Sequence, residues 1–237
     1  MIKDMLEDIS EPRSQLGYGG RFYGSYPALV RDIKDPDGQG RVRVALSWSP
    51  DGSGSGYEAW ARLATMMGGN NRGSWFIPDV NDEVLVAFLG GDTRFPCVTG
   101  AFWNGQDKPP HTMDGAGNNY QKILRSRNGV MLTLDDTTGQ EQMIIETPGG
   151  QKITLQDGAA SITVVDSNNN SITLNSSGVT VQSSATVTIQ ASTVQVTAGS
   201  VSVNAGISTF SGVVQADTVI TNSVVSTSYT PGAGNIW

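Results

Sequence analysis

Charge is nearly missing from the last third of the chain. Residues 151–237 hold one lysine, Lys152, and three aspartates, Asp157, Asp166 and Asp217, with no glutamate or arginine in 87 positions. Ordinary domains carry about a quarter charged residues. A segment this poor in carboxylates has few candidates for paired acid–base chemistry. The whole chain has 15 Lys and Arg against 22 Asp and Glu, a net charge of −7, with −5 in the first 150 residues and −2 in the rest. That balance argues against nucleic acid as the main partner. Cysteine is almost absent too. The one residue, Cys97, sits in the apolar run "FPCVTGAF", which excludes an intrachain disulfide and fits a small core side chain better than a nucleophile. Long apolar runs are missing as well. The N-terminal "MIKDMLEDIS" is acidic and lacks a leader-type apolar stretch, and no run reaches membrane-spanning length, so neither signal peptide nor transmembrane helix is predicted.

What fills the charge-poor segment is alternation. In "VTIQASTVQVTAGSVSVNAG", residues 187–206, Val187 and Ile189 are odd-numbered, Val194 and Val196 even, Val201 and Val203 odd again. Successive side chains of a strand point to opposite faces, so each parity change marks a corner or a bulge. Comparable starts at Ile153, Ile162, Ile172, Val179, Val187, Val194 and Val201 are spaced by 9, 10, 7, 8, 7 and 7 residues, with Gly, Asn and Ser at the corners. This is a short-period β repeat. Disorder, the other reading of a Ser/Thr/Asn-rich tail, does not explain β-branched residues kept in register with small corner residues.

Each short strand then has one apolar face that an isolated ribbon cannot bury. Two closures are open: a single-chain three-sided solenoid of about three rungs, or three identical chains wound about one axis. In the second, every strand is hydrogen-bonded to a strand of another chain, and no edge remains along the shaft. The residues alone leave both possible.

The first half reads as a barrel. "ALVRDIKDP" and "GRVRVALSW" flank the turn "KDPDGQG", a strong hairpin signal. "YEAWARLAT", "GSWFIPDVNDEVLVAFLGGD" and "FPCVTGAFWN" follow at the strand spacing of small barrels. In "VLVAF" both faces are apolar, which predicts a central strand. Residues 21–107 therefore predict an OB-type barrel of five or six strands, and "NGQDKPPHTMDGAGNN" a linker. Four features raise the question of chemistry. Asp135–Asp136 with Glu141 and Glu146 fall around the turn-like "LDDTTGQE". "DPDGQG" spaces acidic residues like a calcium loop but lacks its remaining ligands. "GYGGRF" precedes a strand rather than a helix, a poor phosphate cradle. Trp48, Trp60, Trp75 and Trp103 could serve an OB binding groove, although the acidic balance favours packing roles. No catalytic, cofactor or metal site is predicted.

The pieces Trp60 with Arg62, "GNNRG" (69–73), "FIPDVNDEVLVAF" (76–88), "GD" (91–92), Pro96 and "GAFWNG" (100–105) resemble the OB signature of the central spike proteins of contractile injection machines. These are the baseplate assembly V spikes of contractile-tailed phages and the VgrG spikes of type VI secretion. "NGVMLTLDDTTGQEQMIIETPGGQKITLQD" (128–157) resembles the stretch leading into their needle. The resemblance implies an all-β homotrimer, an N-terminal OB-fold barrel followed by an intertwined triple-stranded β-helix. It implies a structural, non-enzymatic part at the end of a tail tube, which pierces the envelope of the target cell and touches its membrane as it does so.

The expected organisation is an arm over 1–20 that contacts a baseplate hub, an OB domain over 21–107, a linker and β connector over 108–150, and a needle with its tip over 151–237. VgrG proteins carry a large hub region before the OB domain, whereas about 20 residues precede it here, so the hub is expected to be a separate protein. Val187, Ile189, Val194, Val196, Val201 and Val203 are the expected trimer core. Some related spikes close their tip with His-x-His around iron. The one histidine here, His111, is in the linker, so Ile236 and Trp237 are instead expected to form an apolar apex or to meet a PAAR-like cap. The expected location is a virion or injection particle assembled in the cytoplasm. The alternative is a trimeric receptor-binding or polysaccharide-degrading tailspike.

Overall fold

In a computed structural model, which describes residues 21–47, 49 and 56–228, the described residues form an all-β chain whose one helical element is a single 3-10 turn, Leu89–Gly91. The arm over 1–20, Trp48, and the tip residues Ile236 and Trp237 lie outside the described residues.

The barrel begins with β1 (Ser25–Asp32) and β2 (Val42–Leu46), the predicted hairpin, followed by β3 (Tyr57–Leu63). A two-residue pair, β4 (Gly68–Gly69) and β5 (Arg72–Gly73), forms a small hairpin of its own. Then come β6 (Glu83–Phe88) and β7 (Pro96–Ala101). The sheet closes in the order β1-β2-β3-β7-β6, with β3 and β7 parallel and every other neighbour antiparallel. Full closure removes edge strands. Alternation explains the core: Val30, Val42, Val44, Leu46, Ala61, Val84, Val86 and Val98 point inward and are buried. Burying side chains of this kind contributes about 1.5–3 kcal/mol each. Phe22, Tyr26 and Phe88 close one end, with ring centroids 5.7–5.9 Å apart. The five-stranded closed barrel is the OB-type architecture expected, and β6 is central, between β1 and β7.

A second sheet follows: β8 (Gln121–Arg125), β9 (Met131–Asp135), β10 (Gln142–Glu146), β11 (Lys152–Gln156), β12 (Ser161–Val165), β13 (Ser171–Asn175) and β14 (Gly178–Gln182). The seven strands pair in sequence order, all antiparallel, in an unbroken meander. Residue 150, expected to separate connector from needle, falls in the turn between β10 and β11, inside this sheet. The last four strands each start one residue before the repeat starts Ile153, Ile162, Ile172 and Val179. Over 152–182 each strand pairs with its neighbours in sequence, at corners tight enough to close hairpins locally. In "DSNNNS", Asp166 Oδ1 accepts from Asn168 N and Asn170 N at 2.8 and 2.9 Å, and Asn169 takes a φ of 64°. An aspartate followed by asparagines forms that turn through local bonds, and Asn170 Oδ1 also accepts from Ser183 Oγ and Ser184 N beyond β14.

Residues 1–186 and 187–237 separate into two compact units. In the second, residues 187–228 carry no strand pairing within the chain.

Candidate functional site

The register of the seven-stranded sheet sorts its side chains into two unlike faces. On one, Thr133, Ile144, Thr154, Thr163, Thr173 and Thr180 lie opposite one another across six strands. Five of these six are threonines, a polar ladder of β-branched side chains. The other face holds two aliphatic rows. One runs Leu134, Met143, Leu155, Ile162, Leu174, Val179; the second runs Leu124, Leu132, Ile145, Ile153, Val164, Ile172, Val181. Lys122 begins the first row, and its Nζ reaches Asp136 Oδ2 at 2.8 Å. In the single chain almost all these aliphatics are exposed, from 38% at Ile153 to 68% at Val179. A monomer's largest apolar patch is ordinarily a few hundred Å². A face of thirteen aliphatic side chains has the composition of a core cut open.

Val187, Ile189, Val194, Val196, Val201 and Val203, the core residues expected from sequence, lie beyond this sheet and are 57–74% exposed in the single chain. They share no strand ladder within the chain. Of the thirteen aliphatics of β8–β14, Ile153, Ile162, Ile172 and Val179 are the repeat starts expected from sequence, and the other nine are not picked out there. Their signal is plain alternation, as in "MLTLD", "QMIIE", "KITLQ" and "SITVV", once the hairpin corners between them are recognised.

The carboxylates weighed as chemistry are structural. Asp135 is buried and accepts from Thr137 Oγ1, Thr137 N and Gln121 Nε2, bonds that hold its carboxyl below the usual aspartate range. Asp136 pairs with Lys122; Glu141 accepts from Gly139 N; Glu146 lies opposite Lys152 in the ladder. They do not converge. Among the described residues no group of three or more His, Cys, Asp and Glu gathers as a metal site would require.

In "DPDGQG" an arginine occupies the place a cation would take. Asp35 accepts from Asp37 N, Gln39 N and Arg41 N, and also from Arg41 Nε at 3.1 Å and Nη2 at 2.6 Å. Arg41 Nη2 reaches Asp37 as well. The guanidinium hydrogen bond, foremost, holds the Asp35 carboxyl well below the ordinary carboxylate range. At the β6–β7 turn, Arg94 lowers Asp92 to about 2 through the same kind of bond. A third pair, Arg127 Nη1 to Asp79 Oδ1 at 2.8 Å, ties the β8–β9 turn to the loop before β6. Cys97 is half-buried on β7.

Residues 26–103 match the type VI secretion system and phage-baseplate injector OB domain, and residues 142–208 the phage baseplate V C-terminal trimerisation domain. The chain belongs to the phage baseplate V family. The two baseplate V matches together cover more than half of it and take in the barrel and most of the aliphatic rows. Among similar proteins are the type VI secretion system spike protein VgrG1a of Pseudomonas aeruginosa, 32% identical over 135 residues, which are 54% of this chain and 21% of the relative. VgrG4b of the same organism is 33% identical over 136 residues, 53% of this chain and 17% of the relative. VgrG3 of Vibrio cholerae is 30% identical over 130 residues, 49% of this chain and 13% of the relative. This baseplate V chain thus spans about a fifth or less of the length of the curated relatives it matches.

Proposed function

We propose that the protein is the central spike of a contractile tail or injection machine, a homotrimeric needle at the end of the tail tube that pierces the target cell envelope. The observation that carries this reading is the aliphatic face of β8–β14. Most of it, from β10 onward, lies in a region similar to a trimerisation domain, and an injector-type OB barrel precedes it. Three copies turning these faces to a common axis bury what one copy leaves in water. The threonine ladder from Thr154 to Thr180 then faces outward, which keeps the shaft soluble with little charge to strip of water during penetration.

Beyond Thr186 the same need for burial falls on Val187, Ile189, Val194, Val196, Val201 and Val203, whose seven-residue spacing suits an intertwined triple-stranded β-helix. The role is mechanical rather than catalytic. The particle places the protein in a tail baseplate, with residues 1–20 ordering against the hub, and Ile236 and Trp237 against a small cone-shaped cap.

Particle assembly tests the reading. Deleting residues 1–16 is expected to leave the trimer folded and to weaken its incorporation into particles. Normal incorporation would remove the arm from the attachment. Release of sugar products from envelope polysaccharide by the purified protein would instead favour the degrading tailspike.

A further inference from the structure

We propose that the outer face of β2 and β3, together with the β1–β2 turn, is a binding platform for a neutral β-linked glycan. Trp60 on β3 lies opposite Arg43 on β2, and the guanidinium carbons of Arg41 and Arg43 lie 5.8 and 6.0 Å from its ring centroid. Both distances are within cation–π range. Trp75 joins this group from the segment after β5. A Cβ at Gly40 would come 3.3 Å from Trp75 Cζ3, and Gly40 takes a φ of +71° that disfavours any other residue. The bare backbone of Gly40 thus seats an indole that is 77% exposed, one position before Arg41.

The face is built before any ligand arrives. Asp35 fixes Arg41 through two guanidinium nitrogens, and Asp35 is itself held by three backbone N–H groups. Arg43 lies between Asp32 and Glu58, each 3.5 Å away. Its Nε is within charge attraction of Glu58 but makes no hydrogen bond, a buried donor that the chain leaves over. Rigid, preorganised polar groups beside an open aromatic face suit a ligand that pairs with fixed donors and acceptors while resting an apolar side on a ring.

Charge selects the class. Four carboxylates, Asp32, Asp35, Asp37 and Glu58, stand against two guanidiniums, so the face repels nucleic acid and anionic lipid headgroups alike. A sugar ring meets it better. Hydroxyls donate to carboxylates and accept from arginine, and the C–H face of a β-linked pyranose stacks on indole. The surface coincides with the one that OB barrels use for oligosaccharides, strands 2 and 3 with the loop between strands 1 and 2.

Calorimetric titration of the full-length protein with chitohexaose and with cellohexaose, both neutral and β-1,4-linked, tests the proposal, with an oligothymidine at the same salt as the polyanion control. One of the two glycans is expected to bind and the oligothymidine not to. Trp75→Ala is expected to weaken glycan binding about tenfold. Gly40→Val, which displaces the indole without removing it, is expected to weaken it in the same direction. Trp103→Ala, which removes an exposed indole at the end of β7, is expected to leave it unchanged. Absence of binding to both glycans, or equal binding by Trp75→Ala, would overturn the proposal. So would burial of Trp75 by another polypeptide, read as acrylamide quenching no stronger in the wild type than in Trp75→Phe. Native mass measured on the same samples reports the trimer independently, so loss of the platform and loss of the spike reading give different results.

Discussion

At the residue scale, the chain invests its aspartates in turns rather than in chemistry. Asp35, Asp92, Asp114, Asp135 and Asp166 all have carboxyls held below the ordinary value of 3.8, by an arginine in the first two and by neighbouring hydrogen-bond donors in the others. The folded form of each therefore binds its proton less readily than the unfolded form. Stability from these groups is complete above pH about 4 and is lost as pH falls, for Asp92 through about 2. Thermal melts are expected to be flat from pH 7 to about 5 and to drop steeply below 4. Asp35→Ala should flatten part of that acid limb, and an unchanged limb would show that the turn is not a source of acid sensitivity. Gly73 makes a second prediction. Its φ of +147° and a Cβ position 2.5 Å from Met67 O leave no room for a side chain. Gly73→Ala is expected to destabilise the β4–β5 hairpin by about 1–3 kcal/mol, seen as local loss of amide protection with the barrel intact. The role of Asp35 was only half legible in sequence. The acidic spacing of "DPDGQG" predicted a turn, but that Arg41 would close over it depends on where β2 returns, which spacing does not reveal.

At the element scale, the two faces of the β8–β14 sheet should respond in opposite ways to the same substitution. Ile145→Asp and Ile153→Asp place a carboxylate on the aliphatic rows, three times over in a trimer, at a cost of several kcal/mol in desolvation. Both are expected to abolish trimers in size-exclusion chromatography with light scattering. Thr154→Asp, directly opposite Ile144 on the threonine ladder, is expected to leave them intact. Equal effects on both faces would refute the assignment of the aliphatic face as the contact. The strand starts were legible because Ile153, Ile162, Ile172 and Val179 each mark the first inward apolar residue of a strand. Their partners were not. An alternating strand accepts a neighbour from its own chain or from another equally well, and the corner chemistry decides: the Asx turn of Asp166 and the tight Asn175–Gly178 connection close hairpins. For the barrel, period-two burial and a strong turn at 35–40 were enough to predict a small closed sheet. The β4–β5 hairpin, two residues a side, falls below what periodicity can detect.

At the scale of the whole molecule, the chain's stability and its oligomeric state are coupled. Obligate oligomers often lack a stable folded protomer, and here the shaft's apolar face has no partner within the sheet. Native mass spectrometry is expected to give about 75 kDa for three chains of 25.0 kDa. The melting temperature should rise with protein concentration. Folded, soluble monomers at micromolar concentration would contradict this. Cyclic three-fold order would also multiply the glycan platform of the OB barrel to three per particle, a geometry in which individually weak sites add avidity.

The seven strands of the shaft are all five residues long, and each is joined to the next by a short turn. The sheet therefore grows along one direction in identical steps, each strand adding ~4.8 Å and each hairpin ~10 Å. Reach becomes a countable quantity. Duplicating one hairpin with its following turn, for instance 152–170, would extend the sheet by one such step without disturbing the alternation of its two faces. Loss of a hairpin would shorten it equally cleanly. Copying or dropping short segments of the gene can thus reset the length of this sheet, and a designer can cut the protein to a chosen length as one cuts a measuring tape.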